Sequence, residues 1–184
     1  MEDRNDIRRK KNMIQYCKRC CLPSTKPHLS FDEEGICNAC RNYENRKNVD
    51  WDERKKELME ILDRYRSKDG SNWDCIIPVS GGKDSTYQVI TMLELGMNPL
   101  CVTATTCDLT DIGRRNIENI KKMGVDYIEV TTNRVVRAKL NRIGLTEVGD
   151  ISWPEHVSIF TVPVRMAVNF NVPLIIWGEN SQNE

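Results

Sequence analysis

Two constellations in this 184-residue chain have residue types and spacing suited to chemistry. The first is Ser80-Gly81-Gly82-Lys83-Asp84-Ser85, which follows directly on the apolar run Cys75-Ile76-Ile77-Pro78-Val79 and leads into a helical pattern. Two adjacent glycines let the backbone approach an anion with no Cβ in the way. The helix behind them offers unpaired N–H groups and the positive end of its dipole. Ser80 and Ser85 add hydroxyl donors, and Lys83 adds charge if it turns inward, so the segment reads as a phosphate loop. It is not a Walker A loop: Asp84 follows Gly82-Lys83 where Ser or Thr is required, and Ile77 stands at the first glycine position. Nor does it match the G-x-G-x-x-G of dinucleotide folds.

The second constellation is a pair of C-x-x-C turns, Cys17-Lys18-Arg19-Cys20 and Cys37-Asn38-Ala39-Cys40, separated by sixteen residues. Each turn can present two thiolates, and two such turns facing each other make the tetrahedral sulfur cage that zinc prefers. Pro23, Pro27 and Gly35 supply turns between them. The segment has few apolar residues, so metal binding would provide most of its folding energy. Four protein ligands imply a structural rather than an open catalytic zinc. Cys21 adjoins Cys20 and could replace it, which leaves the register open.

Composition narrows the classes. Twenty-seven basic and 27 acidic residues cancel, so no global field draws the chain to nucleic acid or to an anionic membrane. The cluster Arg8-Arg9-Lys10-Lys11 is local, is offset by Glu2, Asp3 and Asp6, and reads as a solvated tail. No apolar run approaches the ~20 residues of a membrane span, and the N-terminus lacks a signal-peptide pattern. An integral membrane protein is therefore not expected. Eight cysteines in a chain with a cytoplasmic profile point to metal rather than disulfides.

The elements that must position these groups fall into three stretches: a tail and cysteine segment over 1–48, a connecting helix and loop over 49–72, and an α/β domain over 73–184. Asp50 with Glu53 forms a capping-box start, and Leu58, Ile61, Leu62 and Tyr65 recur at helical spacing. Strands are predicted at Cys75–Val79, Pro99–Thr105, Tyr127–Val130 and Pro173–Trp177. Helices are predicted near Asp84–Leu95, Asp111–Met123 (with Ile112, Ile117 and Ile120 inward), Arg134–Ile143 and Glu155–Asn169. Repeated βα units imply a parallel sheet with helices on both faces. Gly178 to Glu184 is a polar loop leaving the last strand with no further helix behind it, so the chain is expected to be a piece of a longer enzyme.

Several residues keep two readings. Glu179 and Asn180 leave the last strand at the carboxyl edge, where open α/β sheets bind ligands, and are either Mg²⁺ or substrate contacts or a solvated loop. His156 opens a helix as an acid, a substrate donor or an ordinary helix-start residue. Cys107 is a sulfur carrier or, more in keeping with its isolation, an inert thiol. Arg114 and Arg115 reach a phosphate or, as favoured here, face solvent. Trp153 and Trp177 read as core.

Ser80-Gly81-Gly82-Lys83-Asp84-Ser85 resembles the PP-loop (SGGxDS) of the N-type ATP pyrophosphatases, whose fold is adenine nucleotide alpha hydrolase-like. That resemblance implies adenylation of a substrate oxygen, with pyrophosphate gripped by Ser80, Gly81, Gly82 and Ser85, and Mg²⁺ held with the help of Asp84. Lys83 and Asp84 become the candidate catalytic residues, and Glu179 a further candidate ligand of ATP and its metal. Together with Cys17-x-x-Cys20, the run Phe31-Asp32-Glu33-Glu34-Gly35-Ile36-Cys37-x-Ala39-Cys40, Trp153-Pro154-Glu155-His156 and Ile176-Trp177-Gly178-Glu179-Asn180, the loop resembles the N-acetyl sugar amidotransferases of surface-polysaccharide (LPS, O-antigen) biosynthesis. This resemblance implies conversion of an acetamido to an acetamidino group on a nucleotide- or lipid-linked sugar. No Cys-His pair of glutaminase type is evident, so a separate glutaminase subunit is implied as the source of ammonia. The competing readings are a tRNA-thiolating enzyme, which the neutral charge disfavours, and a nucleotide-binding scaffold without turnover.

Overall fold

The computed structural model of the protein describes residues 14–105 and 109–178. The chain divides into two compact units, Met1–Lys56 and Glu57–Glu184. In the first unit two reversals are each closed by an antiparallel bridge, Tyr16 with Pro23 and Phe31 with Cys37. Asp32 shapes the second reversal: its Oδ1 accepts the N–H groups of Glu34 (3.1 Å) and Ile36 (2.8 Å), and its Oδ2 accepts Arg41 Nη1 at 3.0 Å. These donors, Ile36 foremost, hold the Asp32 carboxyl below its usual range although burial opposes them. Gly35 sits at φ +79°, the left-handed region that glycine tolerates best. Helix α1 (Asn38–Asn45) follows, then a 3₁₀ turn and α2 (Trp51–Tyr65). Asp50 caps α2 as expected, its Oδ1 accepting the N–H groups of Asp52 (3.1 Å) and Glu53 (3.0 Å).

In the second unit β1 (Cys75–Pro78), β2 (Pro99–Thr105) and β3 (Asp126–Thr131) form a parallel sheet in the order β1-β2-β3. Helices α3 (Lys83–Glu94) and α4 (Asp111–Lys121) make the crossovers; α5 (Arg134–Ile143), a π turn over Gly144–Val148 and α6 (Trp153–Asn169) follow. The apolar runs of β1 and β2 are buried on both faces, as a two-sided parallel sheet requires. Cys75, Ile77, Val79 and Cys101 pack with Leu62 of α2, Val89 and Met92 of α3 and Ile120 of α4. Ile76, Leu100 and Val102 pack on the opposite face with Val162 and Ala167 of α6 and with Val172. The predicted parallel sheet with helices on both faces is thus present, and among the described residues no helix is long and apolar enough to cross a membrane.

The fourth predicted strand is reduced to a parallel bridge between Ile76 and Ile175. Ile76 N–H donates to Leu174 O and Ile176 N–H donates to Ile76 O, each at 2.9 Å. The next bond of that ladder would come from the N–H of residue 78, and Pro78 has none, so the pairing stops. Ile112 is 63 % exposed rather than inward: five residues before Ile117, it lies about 140° round the helix from it. Ile61 is likewise exposed, leaving Leu62 as the fully buried residue of α2. Trp153 is half exposed rather than core.

Candidate functional site

The Ser80–Ser85 loop leaves the carboxyl end of β1 and turns into α3. Gly81 adopts φ +77°, and a Cβ there would lie 3.1 Å from Gly113 O and 3.2 Å from Ile117 Cγ1, so the loop is seated directly on α4. Asn116 Nδ2 fixes it by donating to Gly81 O at 2.9 Å. Gly82 is the N-cap of α3 and, having no side chain, leaves that helix start without a side-chain cap. Helices α4 and α5, by contrast, are capped by Thr110 and Asn133. Ser80 and Ser85 brace the turn from within: Ser85 Oγ donates to Gly82 O (3.2 Å) and accepts from Ser80 N–H (3.4 Å), while Gly82 N–H donates to Ser80 Oγ at 3.3 Å. A helix N-terminus of this kind is an anion site by its backbone alone.

The loop opens on a cavity of about 360 Å³. One wall is Ser80, Gly82, Asp84, Ser85 and Gln88; a second is the end of β2 (Val102 to Thr105) with Leu109; a third is Ile159, Phe160 and Pro163 of α6 with Trp177 and Gly178. Its size falls within the roughly 300–1,000 Å³ of small-molecule sites. The second wall is tied down from behind. Thr103 Oγ1 donates to Val79 O and meets the Tyr127 hydroxyl, and burial pushes the Tyr127 phenol up to about 12. Thr105 Oγ1 donates to Glu129 Oε1 (2.9 Å), and Arg114 Nη1 reaches both oxygens of Glu129 at 2.9 Å. Burial alone would raise Glu129; hydrogen bonds from Arg114 and Thr105 and the Arg114 charge bring it below the usual carboxylate range. Arg137 Nη1 donates to Thr105 O at 3.1 Å, and Glu155 accepts from Asn141 at 2.7 and 2.8 Å.

The sequence candidates fall unevenly on this frame. Ser80, Gly82, Asp84 and Ser85 line the cavity; Gly81 lies beneath the loop against α4. The Lys83 side chain is 91 % exposed and pairs with Asp84 Oδ1 at 3.4 Å, outside the cavity lining. His156 is exposed, and its neighbour Glu155 is the engaged residue of Trp153-Pro154-Glu155-His156. Arg114 is held by Glu129 and Arg115 faces solvent. Trp177, read as core, forms part of the cavity wall, its ring 5.3 Å from that of Phe160 at a 35° tilt. Glu179, Asn180, Cys107 and the Arg8–Lys11 cluster lie outside the described residues. Gln88 and Phe160 were missed. Gln88 had a legible signal, standing one helical turn after Asp84 and hence on the same face of α3.

In the first unit Cys17, Cys20, Cys37 and Cys40 converge, with all four Sγ atoms within 4.8 Å of one another. Cys17 to Cys40 is 4.0 Å and Cys20 to Cys37 is 3.5 Å. Four sulfurs about 2.3 Å from one zinc stand about 3.8 Å apart in a tetrahedron, so the donor set fits that ion. Cys37 N–H and Arg19 N–H donate to Cys17 Sγ at 3.3 and 3.4 Å. Burial raises the Cys17 thiol, but the backbone donors prevail and lower it to about 6; burial and the surrounding thiols push Cys40 up to about 12. Four thiolates this close would need a cation between them, and the spacing suits zinc. Cys21 lies outside the cluster, exposed, at φ +59°.

No family model matches the chain. Over 108 residues it is 31 % identical to an uncharacterized protein (MJ1599) of Methanocaldococcus jannaschii, an alignment covering 58 % of this chain and 38 % of that protein. It therefore spans well under half of that relative's length. Its fold is similar to that of NMN synthetase from Francisella tularensis, with TM-score 0.52 and 14 % identity over 71 % of this chain and 55 % of the other. The NH3-dependent NAD synthetase from Campylobacter jejuni gives TM-score 0.53 and 13 % identity, over 72 % and 58 %. The chain has a PP-loop ATPase-like fold. In that fold the Ser80–Ser85 turn occupies the loop between the first strand and its helix, at the carboxyl edge of the sheet. Identities this low carry the architecture and not the substrates.

Proposed function

We propose that the Glu57–Glu184 unit is the ATP-binding, adenylating part of a cytoplasmic amidotransferase that converts the acetamido group of a sugar to an acetamidino group in surface-polysaccharide biosynthesis. The observation that carries this reading is the uncapped, glycine-started N-terminus of α3, opening with Ser80 and Ser85 on a closed-in cavity. Its backbone N–H groups and hydroxyls suit pyrophosphate as it departs and gains charge. Asp84 is a carboxylate on that wall. One carboxylate together with substrate phosphates is what Mg²⁺ uses, so Asp84 would hold the ion, which supplies charge neutralisation on the phosphates.

The carbonyl oxygen of the acetamido group attacks the α-phosphorus of ATP, and the bond to the β-phosphate breaks with its electron pair leaving on pyrophosphate. Ammonia then adds to the activated carbon, AMP departs with the C–O electron pair, and loss of a proton leaves the amidine. A glutaminase partner would supply the ammonia. Zinc at Cys17, Cys20, Cys37 and Cys40 would be structural, with no open position for chemistry. A thiolation reading is weakened by the sheet cysteines: Cys75 and Cys101 are buried, and burial pushes both thiols up to about 12, far from a reactive thiolate.

The test is to supply the protein with ATP, Mg²⁺, an acetamido sugar and ammonia and to identify the nucleotide product. AMP and pyrophosphate are expected; ADP and phosphate would refute the assignment. Asp84→Asn should keep the unfolding midpoint, since the side chain is 76 % exposed, yet lower Mg²⁺-dependent turnover by roughly 10–100-fold.

A further inference from the structure

The peptide between Gly81 and Gly82 is fixed neither by helix geometry nor by side-chain bulk. The next peptide is secured by α3 itself: Gly82 O accepts the N–H of Thr86 (3.2 Å) and the hydroxyls of Ser85 (3.2 Å) and Thr86 (2.8 Å). The Gly81–Gly82 peptide lies ahead of that first turn, Gly82 being the N-cap, and neither residue flanking it has a Cβ. Such a peptide can turn over with little steric resistance. Its two orientations differ in the charge they present, because a trans peptide points its C=O and N–H in opposite directions. One offers the cavity an N–H, the other a carbonyl oxygen. What selects between them is on α4. Asn116 Nδ2 donates to Gly81 O at 2.9 Å. A carbonyl oxygen only accepts, so the carboxamide must present its nitrogen there. Asn116 stands three residues after Gly113 and one before Ile117, on the helix face that seats Gly81. With its oxygen drawn onto α4, this peptide turns the Gly82 N–H the other way, toward the side on which Gly82 lines the cavity. There it makes a long bond, 3.3 Å, to Ser80 Oγ, a hydroxyl that can rotate.

We propose that Asn116 is a positioning residue for the anion site: by holding the Gly81 carbonyl on α4, it keeps the Gly82 N–H turned to the cavity and spares an incoming phosphate the repulsion of a carbonyl oxygen. The inference rests on the reading of this loop as a phosphate site and needs neither the sugar nor the ammonia step. Asn116 does not touch the anion; it acts through the peptide. The N–H groups of Lys83, Asp84 and Ser85 are aimed by α3, which leaves the Gly82 N–H as the donor whose direction has to be set from outside the helix. A carboxamide suits the task, since it holds the carbonyl without adding a charge that would compete with the backbone for the anion. With the peptide turned beforehand, binding costs no reorganisation of the loop.

Gly81 and Gly82 are the sole adjacent glycines in the sequence, so glycine labelled with ¹³C at the carbonyl and with ¹⁵N gives a single HNCO cross-peak, that of this peptide. The probes are inorganic pyrophosphate with Mg²⁺, α,β-methylene-ATP with Mg²⁺, and adenosine, which carries no phosphate. In wild-type protein the cross-peak should move to lower ¹H field as pyrophosphate saturates. Asn116→Leu keeps the size of the side chain and removes the donor, and Asn116→Ala guards against crowding. Asn116 is exposed, so both variants should fold. In both, the peak should shift or broaden before ligand is added. Affinity for pyrophosphate and for the nucleotide should fall roughly 10–100-fold, and that for adenosine should not change. A residue that merely stiffens the protein would lower the urea midpoint and leave these affinities, and the response of the peak to pyrophosphate, intact; that result overturns the inference. An equal loss for adenosine also overturns it, since Asn116 would then support the cavity as a whole. Wild-type protein that binds pyrophosphate through this peptide yet forms no AMP supports the lock and refutes the adenylation reading. Wild-type protein that binds neither pyrophosphate nor nucleotide refutes both.

Discussion

Gly81 and Gly82 are adjacent and chemically identical, yet the structure assigns them different work, and alanine at each should separate stability from binding. At Gly81 the backbone is left-handed, φ +77°, and a new Cβ would sit 3.1 Å from the Gly113 carbonyl oxygen and 3.2 Å from Ile117 Cγ1. The left-handed conformation costs an L-residue about 1–2 kcal/mol, and contact with a backbone atom, which cannot rotate away, adds about 1–3 kcal/mol. Offset by the smaller unfolded-state entropy of alanine, worth about 0.4–1 kcal/mol, Gly81→Ala should destabilise the second unit by about 1–4.6 kcal/mol. At Gly82 the backbone is extended, φ −80° and ψ 171°, which alanine adopts freely, and within 4 Å the new Cβ would meet just Ser80 Oγ at 3.3 Å. Gly82→Ala should therefore be neutral or slightly stabilising, but its methyl group would stand in the path of the proposed anion and should weaken nucleotide binding roughly 10–100-fold. Urea unfolding gives the first quantity and titration with α,β-methylene-ATP the second. A Gly82→Ala protein that loses stability while binding normally, or a Gly81→Ala protein as stable as wild type, would refute this division of labour.

Two further outcomes follow from the same structure. Elemental analysis of protein purified without added metal should find about one zinc per chain, and Cys40→Ser should lose it while Cys21→Ser keeps it, since Cys21 lies outside the cluster. Burial opposes the charge on Glu129, but Arg114 and Thr105 hold it below the usual carboxylate range, so it contributes stability that is present above its unfolded value and lost as pH falls through its folded one. Glu129→Gln should thus reduce stability at neutral pH by about 1 kcal/mol or less, given the partial exposure of the pair, and the difference from wild type should shrink as acid protonates the carboxyl in both states. A gap that persists in acid would mean that packing rather than charge holds this contact.

What was legible in the sequence was local. The Ser80–Ser85 turn could be read because its shape is a backbone property: glycines, hydroxyls and a helix start, all within six residues. The cysteine centre was legible for a related reason, since two C-x-x-C turns fix most of the geometry and the fold need supply just their juxtaposition. Strands β1 and β2 announced themselves as apolar runs because both faces are covered. The misreadings share a different character. The fourth strand failed on a pairing fact, the missing N–H of Pro78 opposite Ile176, which no pattern within residues 173–177 contains. Ile112 is apolar and helical, but its angle from Ile117 puts it in solvent. Trp177 read as core because apolar strand ends usually are; what exposes it to the cavity is Phe160, seventeen residues earlier on a helix of the opposite face.

Lys83 makes the same point for chemistry. Its place in the loop offered charge to an anion if it turned inward, and its side chain stands exposed beside Asp84. If the N–H groups of α3 and the two serines suffice to hold the anion, then the lysine contributes through long-range charge alone. Such a contribution is screened by salt, whereas the backbone contribution, made at contact distance, is not. A turn shaped by main-chain atoms was legible from sequence because it depends on local conformation. The side-chain lining of the cavity depended on where distant elements met: Gln88, Phe160 and Trp177 lie on three separate segments.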